Sequence, residues 1–259
     1  MKSPVTYFTD GTVTLYLGDC REILPALGLQ AELIVTDPPY GETTLAWDRW
    51  VDCWPTLAAD YAASMWCFGS MRMFLEHRDE FVFPGWKLSQ DVVWRKHNGS
   101  SRAADRFRRV HEHALHWYRG RWTDVRHATP RITPGVDPRS RTRPSPSVPS
   151  PHLGAYQRRT EWVDDGTRQM PSVIEARSMH KAAIAPTEKP VPLLRPLIEY
   201  GCSSGGLVLD MFAGSGSTLE AACGCGRRAV GIEADEAQIE KAARRLSQGV
   251  LDLGPGDAT

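Results

Sequence analysis

The sequence lacks features that would direct it to a membrane or to an oxidising compartment. No apolar run approaches the length of a membrane span, and the first residues do not resemble a signal peptide. The six cysteines are scattered, and the spacing of the closest pair, Cys223 and Cys225, suits neither a zinc knuckle nor a disulfide framework. We therefore expect reduced thiols, no bound metal and a cytoplasmic location.

The chain also lacks net charge, but its charges are unevenly distributed. Between Arg95 and Arg159, fourteen Arg and one Lys stand against four acidic residues, which gives this segment a net charge of +11 and the remainder −11. Such a basic middle segment favours a polyanionic partner on one face, although a solvated Arg-rich loop would have the same composition.

Two common nucleotide-binding motifs are incomplete. The stretch LDMFAGSGSTLEAA (209–222) predicts a strand ending at Asp210, a tight turn with Gly214 and Gly216, and then a helix. Leu219 stands where a Rossmann dinucleotide site would have a third glycine, and no lysine has Walker-A spacing. The turn alone is compatible with a purely structural role. Glu233, at the end of the next strand, favours a ribose-binding role instead.

Short apolar runs that end at or next to an acid recur along the chain. Because they are rich in Val, Ile and Leu without strict alternation, they predict a mainly parallel, doubly wound α/β sheet that is covered on both faces. These runs are VTLYLGD (13–19), ELIVTD (32–37), GLVLD (206–210) and RAVGIE (228–233). Further strands are predicted at 63–70, 89–94 and 112–118, and helices after Ser217 and over 235–249, with Asp235 as N-cap and Gly249 as the stop signal.

The run that ends at Asp37 continues as DPPY. Pro38 and Pro39 prevent both strand pairing and the start of a helix, so the chain leaves the sheet in a rigid, extended form. Asp37 and Tyr40 are therefore held at the carboxyl end of a strand, which is where open α/β sheets bind ligands.

Together these motifs resemble the S-adenosylmethionine-dependent DNA amino-methyltransferases of the N6-adenine/N4-cytosine family. DPPY (37–40) resembles the catalytic motif, DMFAGSGST (210–218) the cofactor loop, and APTEKPVPLLRPLI (185–198) the segment before that loop. The catalytic motif precedes the cofactor motif in this sequence, and this order resembles that of the beta class. The resemblance implies a Rossmann-like core with a catalytic half (1–120), a target-recognition insert (121–178), a cofactor-binding half (179–250) and a tail (251–259). From Pro130 to Pro151, seven prolines and very few apolar residues suggest that part of the insert is mobile.

The resemblance also implies roles for individual residues. Asp37, Pro38, Pro39 and Tyr40 would be catalytic: the Asp37 carboxylate and the Pro38 carbonyl would accept the N–H groups of the target amine, and Tyr40 would stack on a flipped-out base. The implied cofactor-binding residues are Asp19, Asp37, Thr187, Glu188, Lys189, Asp210, Phe212, Gly214, Gly216, Ser217, Thr218 and Glu233. A turn-forming role is the alternative for Asp19. The residues expected to contact DNA, in a loop rich in Asn, Gly and Ser, are Lys96, Arg102, Arg106, Arg108 and Arg109.

The sequence thus predicts an enzyme that methylates the N6 atom of adenine in double-stranded DNA. DPPY favours adenine by resemblance, and cytosine-N4 methylation is the main alternative. More remote alternatives are a nucleotide-binding oxidoreductase and a catalytically silent DNA-binding protein. The family also offers precedents for a homodimer and for a cognate restriction endonuclease, and the sequence leaves both open. The closely spaced His111, Glu112, His113 and His116 suggest a metal site only weakly, because no cysteine or acid cluster completes it.

Overall fold

A computed structural model describes residues 4–100, 105–133, 166–177 and 188–252 of the 259-residue chain. Numbered in chain order, the strands are β1 (Thr6–Thr9), β2 (Val13–Leu17), β3 (Leu33–Thr36), β4 (Ser64–Gly69), β5 (Lys87–Ser100), β6 (Arg109–Tyr118), β7 (Arg131–Ile132), β8 (Arg168–Gln169), β9 (Val173–Ala176), β10 (Leu207–Asp210) and β11 (Arg228–Glu233). The helices are α1 (Cys20–Leu27), α2 (Trp54–Ala58), α3 (Met71–Glu76), α4 (Arg78–Val82), α5 (Val191–Gly201), α6 (Ser217–Gly224) and α7 (Glu236–Asp252).

Nine strands form one mixed sheet in the order β1-β2-β11-β10-β3-β4-β6-β5-β9. The five consecutive strands from β2 to β4 are parallel, β1 and β6 run antiparallel to their neighbours, and β9 pairs in parallel with β5. All four residues of β3 are buried, as expected for a parallel strand covered on both faces. The predicted doubly wound, mainly parallel sheet is confirmed.

Helices cover both faces of this sheet. Buried residues of α1 to α4, among them Leu24, Trp54 and Phe81, pack with one set of strand side chains in a continuous apolar cluster. On the other face, a Cβ atom at Gly201 of α5 would lie 2.8 Å from Leu33, and one at Gly231 would lie 2.8 Å from Leu219 of α6. The apolar cluster on one face and the close approach at these two glycines on the other pack both helical layers against the sheet. Each fully buried large apolar side chain contributes roughly 1.5–3 kcal/mol.

The central feature of the topology is the pairing of β10 with β3. Val208 pairs with Leu33 and Leu209 with Ile34, in parallel. From β3 the sheet continues to β4 on one side, and from β10 it continues to β11 on the other, so the strand order reverses between them. Loops after the two strands therefore leave in opposite directions and open a crevice at the carboxyl edge, as in other doubly wound sheets.

Some element boundaries differ from the sequence predictions. The predicted loop containing the DNA-contact residues is wrong for Lys96 and Arg109, because β5 and β6 extend through them. The predicted stop at Gly249 is also wrong, since α7 continues to Asp252. Asp235 does cap this helix: its Oδ1 atom accepts hydrogen bonds from the amides of Ala237 and Gln238 at 2.8 and 3.0 Å.

The chain divides into two compact units, residues 129–171 and the remainder. Within the smaller unit, β7 and β8 form an antiparallel pair. In the part of the chain that the structure describes, no helix is both long and apolar enough to cross a bilayer.

Candidate active site

The ends of β3 and β10 are joined by a buried hydrogen bond. The Thr36 hydroxyl donates to Asp210 Oδ1 at 2.9 Å across 174 positions of sequence, and the amide of Phe212 donates to the same oxygen at 3.1 Å. Burial raises the pKa of Asp210 to about 6, against the lowering effect of these hydrogen bonds. Asp210 therefore connects the turn after β10 to the strand that leads into DPPY, and the two motifs follow neighbouring, paired strands.

The DPPY segment begins directly after β3. Pro38 is buried and Asp37 is half-buried, and the Tyr40 hydroxyl donates a hydrogen bond to Asp37 Oδ1 at 2.7 Å. Burial, and then the nearby Asp37 carboxylate, raise the pKa of Tyr40 well above its usual value, so its phenol stays protonated and can donate. The hydrogen bond from Tyr40 thus fixes the orientation of the Asp37 carboxylate within the DPPY segment.

Asp48, which sequence analysis did not select, holds the chain that follows DPPY. Its side chain is 3% exposed, and its two oxygens accept hydrogen bonds from the amides of Gly41 and Thr43 at 2.8 and 2.7 Å. A buried carboxylate bound by backbone amides is typical of a residue that fixes a loop. The only sequence signal was an acid within a Thr-rich and Trp-rich stretch, which does not indicate this role.

The second oxygen of Asp37 contacts a buried cation. The Lys189 ammonium forms an ion pair with Asp37 Oδ2 and lies 3.4 Å from Glu112 Oε2, and Lys96 forms an ion pair with Glu112 Oε1. Burial opposes ionisation of Glu112, but the charges of Lys189 and Lys96 outweigh it and lower the pKa of Glu112 to about 2. Glu112 was noted in the sequence only beside the histidines, and its place close to the DPPY segment was missed.

The glycine turn lies at the end of β10, on the other side of the crevice. Gly214 has φ +52°, and a Cβ atom placed on it would have nothing within 4 Å, so the backbone here faces open space. Its amide donates to Glu233 Oε2 at 2.7 Å, and burial raises the pKa of Glu233. Ser217 and Thr218 open α6 directly after the turn. An open backbone turn with a carboxylate and a helix start fits the ribose and methionine parts of S-adenosylmethionine.

The other predicted cofactor residues occupy different environments. Glu188 forms an ion pair with Arg245, and its Oε2 atom accepts a hydrogen bond from the Ser215 hydroxyl at 3.4 Å. Because Ser215 lies within the glycine turn, Glu188 stabilises that turn. Asp19 caps α1 by accepting from the amide of Arg21 at 2.8 Å, which is the turn-forming alternative. Phe212 packs edge-on against Trp54 with ring centroids 5.6 Å apart. Thr187 lies outside the described residues.

The predicted DNA-contact residues divide into two groups. Lys96 is engaged with Glu112, whereas Arg106 and Arg108 are exposed next to Phe107, and Arg102 lies outside the described residues. Arg106 and Arg109 line a cleft of about 380 Å³ beside the DPPY loop. The other residues that line this cleft are Glu42, Ser70, Met71, Arg72, His111 and His113.

His111, His113 and His116 are close together in sequence but belong to no metal-binding cluster of the described residues. Among the described residues, no group of three or more His, Cys, Asp or Glu side chains could hold a metal ion. His116 is fully buried and is hydrogen-bonded to Ser64 and Ser89 at 3.0 and 2.6 Å. Burial lowers its pKa from 6.5 to about 4. It is therefore a neutral core residue.

This environment makes the stability of the protein depend on pH. Because the unfolded chain binds a proton at His116 below pH 6.5 and the folded protein does so only near pH 4, the free energy of unfolding should fall as the pH decreases through this window. His116 alone should lower the free energy of unfolding by about 3 kcal/mol across this window. His116→Gln should flatten this part of the profile in denaturant unfolding measured from pH 7 to pH 4. An unchanged slope would contradict the assignment.

Comparison with known protein families gives a match over most of the chain. The sequence pattern of a DNA methylase family, N6_N4_Mtase, matches residues 31–244. DNA adenine methyltransferase YhdJ of Escherichia coli (strain K12) is 43% identical over 61 residues, which are 24% of this chain and 21% of YhdJ. The chain therefore spans about a quarter of the length of the curated relatives that it matches.

Solved structures share the fold over nearly the whole chain. The M1.HpyAVI–SAM complex has a TM-score of 0.63 at 22% identity, covering 90% of this chain and 99% of that one. PvuII DNA methyltransferase (cytosine-N4-specific) also has a TM-score of 0.63, at 14% identity, covering 94% of this chain and 89% of that one. Identities this low establish the fold alone.

Proposed function

Because the chain belongs to this DNA methylase family, we propose that it transfers a methyl group from S-adenosylmethionine to the exocyclic N6 amine of adenine in double-stranded DNA. One observation carries the proposal. The carboxylate of Asp37 and the open glycine turn at Gly214 follow two paired parallel strands at the same edge of the sheet, and the Thr36–Asp210 hydrogen bond joins these strands. A methyl donor and a base amine could therefore lie side by side.

The chemistry assigned to the chain is positioning and charge stabilisation. S-adenosylmethionine, when bound, supplies an electrophilic methyl group on a sulfonium sulfur. The target amine is a poor nucleophile because its lone pair is delocalised into the ring. The Asp37 carboxylate and the Pro38 carbonyl each accept one N–H of this amine, which favours a pyramidal and more nucleophilic nitrogen. The carboxylate also stabilises the positive charge that develops on the nitrogen, before a proton is lost to water.

Tyr40 provides the surface for the base itself. The amine of a paired adenine is not accessible to these acceptors within the duplex, so the base must be flipped out. Stacking on an aromatic ring contributes about 1–3 kcal/mol per base. Because its hydroxyl is bonded to Asp37, Tyr40 holds a fixed position relative to the carboxylate. The same two residues would then set both the plane of the base and the direction of its amine.

The choice of adenine rests on Asp37. Cytosine-N4 enzymes of this family more often have Ser at this position, and the partial relative YhdJ is named as an adenine methyltransferase. Cytosine-N4 methylation remains the second candidate, since the PvuII enzyme that shares the fold is cytosine-N4-specific. The oxidoreductase alternative has no support in the family match. The homodimer, the restriction endonuclease and the cytoplasmic location stay predictions.

Product analysis tests the proposed function. The purified protein should be incubated with methyl-deuterated S-adenosylmethionine and unmethylated genomic DNA, and the DNA hydrolysed to nucleosides for mass spectrometry. We expect labelled N6-methyladenine, and no label above background with Asp37→Ala. Asp79→Ala, which changes an exposed acid on α4, serves as the matched control and should behave like the unmodified protein. Labelled N4-methylcytosine alone would overturn the choice of adenine.

The two glycines of the turn should respond differently to alanine. Gly214→Ala adds a methyl group that meets no protein atom, whereas in Gly216→Ala the Cβ atom would lie 3.0 Å from Ala242 Cβ at φ +80°. Positive φ costs a non-glycine residue about 1–2 kcal/mol in either case. We expect Gly216→Ala to be the less stable variant in denaturant unfolding. Gly214→Ala should lose more affinity for S-adenosylmethionine in calorimetry, and unchanged affinity would remove this residue from the cofactor site.

A further inference from the structure

Lys189 is a buried cation that contacts the residue assigned to catalysis. The residue is 6% exposed, and its ammonium lies between the carboxylates of Asp37 and Glu112 and 5.2 Å from the centre of the Phe68 ring. Burial alone would lower the pKa of Lys189, but the Asp37 and Glu112 charges raise it above its ordinary value. A buried ammonium is retained only where it is paired, so this contact is a built feature of the site.

Glu112 holds this cation in place, although in sequence it is distant from both the DPPY segment and the glycine turn. It lies on β6, and its two oxygens point to different lysines, Lys96 on β5 and Lys189 in the segment before α5. Glu112 Oε2 is buried and accepts no hydrogen bond from the described residues, so the Lys189 charge at 3.4 Å is what balances it. The side chains therefore form a series of alternating positive and negative charges that ends at Asp37: Lys96, Glu112, Lys189 and Asp37.

Taking the proposed function as the premise, we propose that Lys189 is a positioning residue that fixes the Asp37 carboxylate toward the target amine, and that Glu112 holds Lys189 in place. Asp37 Oδ2 is bonded to Lys189 and Oδ1 to Tyr40, so the carboxylate plane is fixed by contacts on both oxygens. Because Lys189 also interacts with Glu112, its charge does not fully neutralise Asp37. The Asp37 carboxylate can therefore still accept a hydrogen bond from the amine. This role differs from the cofactor contact that the sequence predicts for Lys189.

Three variants separate this role from packing and from cofactor binding. In Lys189→Met, the carboxylates of Asp37 and Glu112 lose the cation that they share, and a nearby cation is what favours the charged form of a carboxylate. We expect kcat to fall at least tenfold, and the acid limb of the pH–rate profile to move up by about one pH unit or more. Lys189→Arg keeps the charge and should leave the limb in place. Glu112→Gln should move the limb in the opposite direction, because Lys189 then pairs with Asp37 alone.

Other titratable groups are the same in wild type and variants, so only the displacement between profiles is diagnostic. Those that face the cluster are Tyr40, Cys67, Lys96 and Asp210. An unmoved limb in Lys189→Met would overturn the proposal. So would a loss of affinity for S-adenosylhomocysteine in calorimetry as large as the loss in kcat, because it would assign Lys189 to the cofactor.

A second measurement needs no activity and so separates this proposal from the proposed function. The stability lost in Lys189→Met, measured by denaturant unfolding of the free protein, should be larger at pH 7 than at pH 4. Without the Lys189 charge, which helps to hold the pKa of Glu112 at about 2, buried Glu112 of the variant can take up a proton at pH 4. An equal loss at both pH values would mean that Lys189 acts through packing, and would refute the ion-pair role even if the wild type methylates DNA. If Lys189→Met does not fold, the opposite displacement in Glu112→Gln decides the question.

Discussion

Methyl transfer by the Asp37→Ala variant is expected to fall by about 10² to 10³-fold or more, the range seen when one preorganised stabilising group is removed from an active site. Asp37 supplies an acceptor for the target amine and follows β3, whereas the glycine turn that is assigned to the cofactor follows the neighbouring strand β10. Its loss should therefore leave the affinity for S-adenosylmethionine within a few-fold of wild type, as measured by calorimetry.

The Asp37→Asn variant refines this result. Asparagine keeps a carbonyl oxygen but loses the charge and the ion pair with Lys189. We expect transfer to remain strongly impaired, because a neutral amide stabilises positive charge on the amine less well than a carboxylate does. If affinity for S-adenosylmethionine fell in parallel with transfer in both variants, Asp37 would belong to the cofactor site, and the division of the crevice proposed here would be wrong.

DNA affinity is expected to fall about 10²-fold when salt is raised fourfold, from 50 to 200 mM. This estimate assumes phosphate contacts by about four arginines, each of which contributes a slope of about −0.9 in log affinity against log salt. The candidates are Arg72, Arg106, Arg108 and Arg109, which lie on or next to the cleft beside the DPPY loop. Fluorescence anisotropy with a labelled duplex would measure the slope.

Two of these arginines allow a direct test of the DNA-binding surface. Arg106→Gln/Arg108→Gln should reduce the slope by about 2, since two phosphate contacts are lost. Arg244→Gln changes an exposed arginine of α7 that is not among the residues lining this cleft, and should leave the slope unchanged. A flat salt response of the wild type, or equal slopes for all three proteins, would exclude this cleft as the DNA-binding surface.

The sequence predicted the parts of the fold that depend on local apolar patterns. The runs leading to Asp37 and Asp210 are short and rich in Val, Ile and Leu, so both strands could be predicted from composition, whereas their pairing is visible only in the folded sheet. Strand β5 was predicted too short because Arg95, Lys96 and His97 are polar. The strand continues there because Lys96 pairs across to Glu112 on the neighbouring strand, a contact that no local pattern encodes. The short edge strand β9 was missed within the segment predicted as an insert.

The site was predicted in outline but not in its electrostatics. Asp37, Tyr40 and the glycine turn were recognisable because prolines and glycines restrict the backbone in characteristic ways. The ion pair between Lys189 and Asp37 joins residues 152 positions apart, so the sequence placed Lys189 only by its neighbours in the chain. Glu112 looked like a member of a histidine cluster for the same reason. Buried charges reveal their partners only once the strands are assembled.

The most direct test of the account is a crystal structure of the protein with S-adenosylhomocysteine, the demethylated form of the cofactor. We expect the ligand to lie along the turn at Gly214 with its ribose at Glu233, and its sulfur to face the space beside Asp37 and Tyr40. A ligand bound elsewhere, or one whose sulfur points away from Asp37, would contradict the claim that donor and target base meet in this crevice.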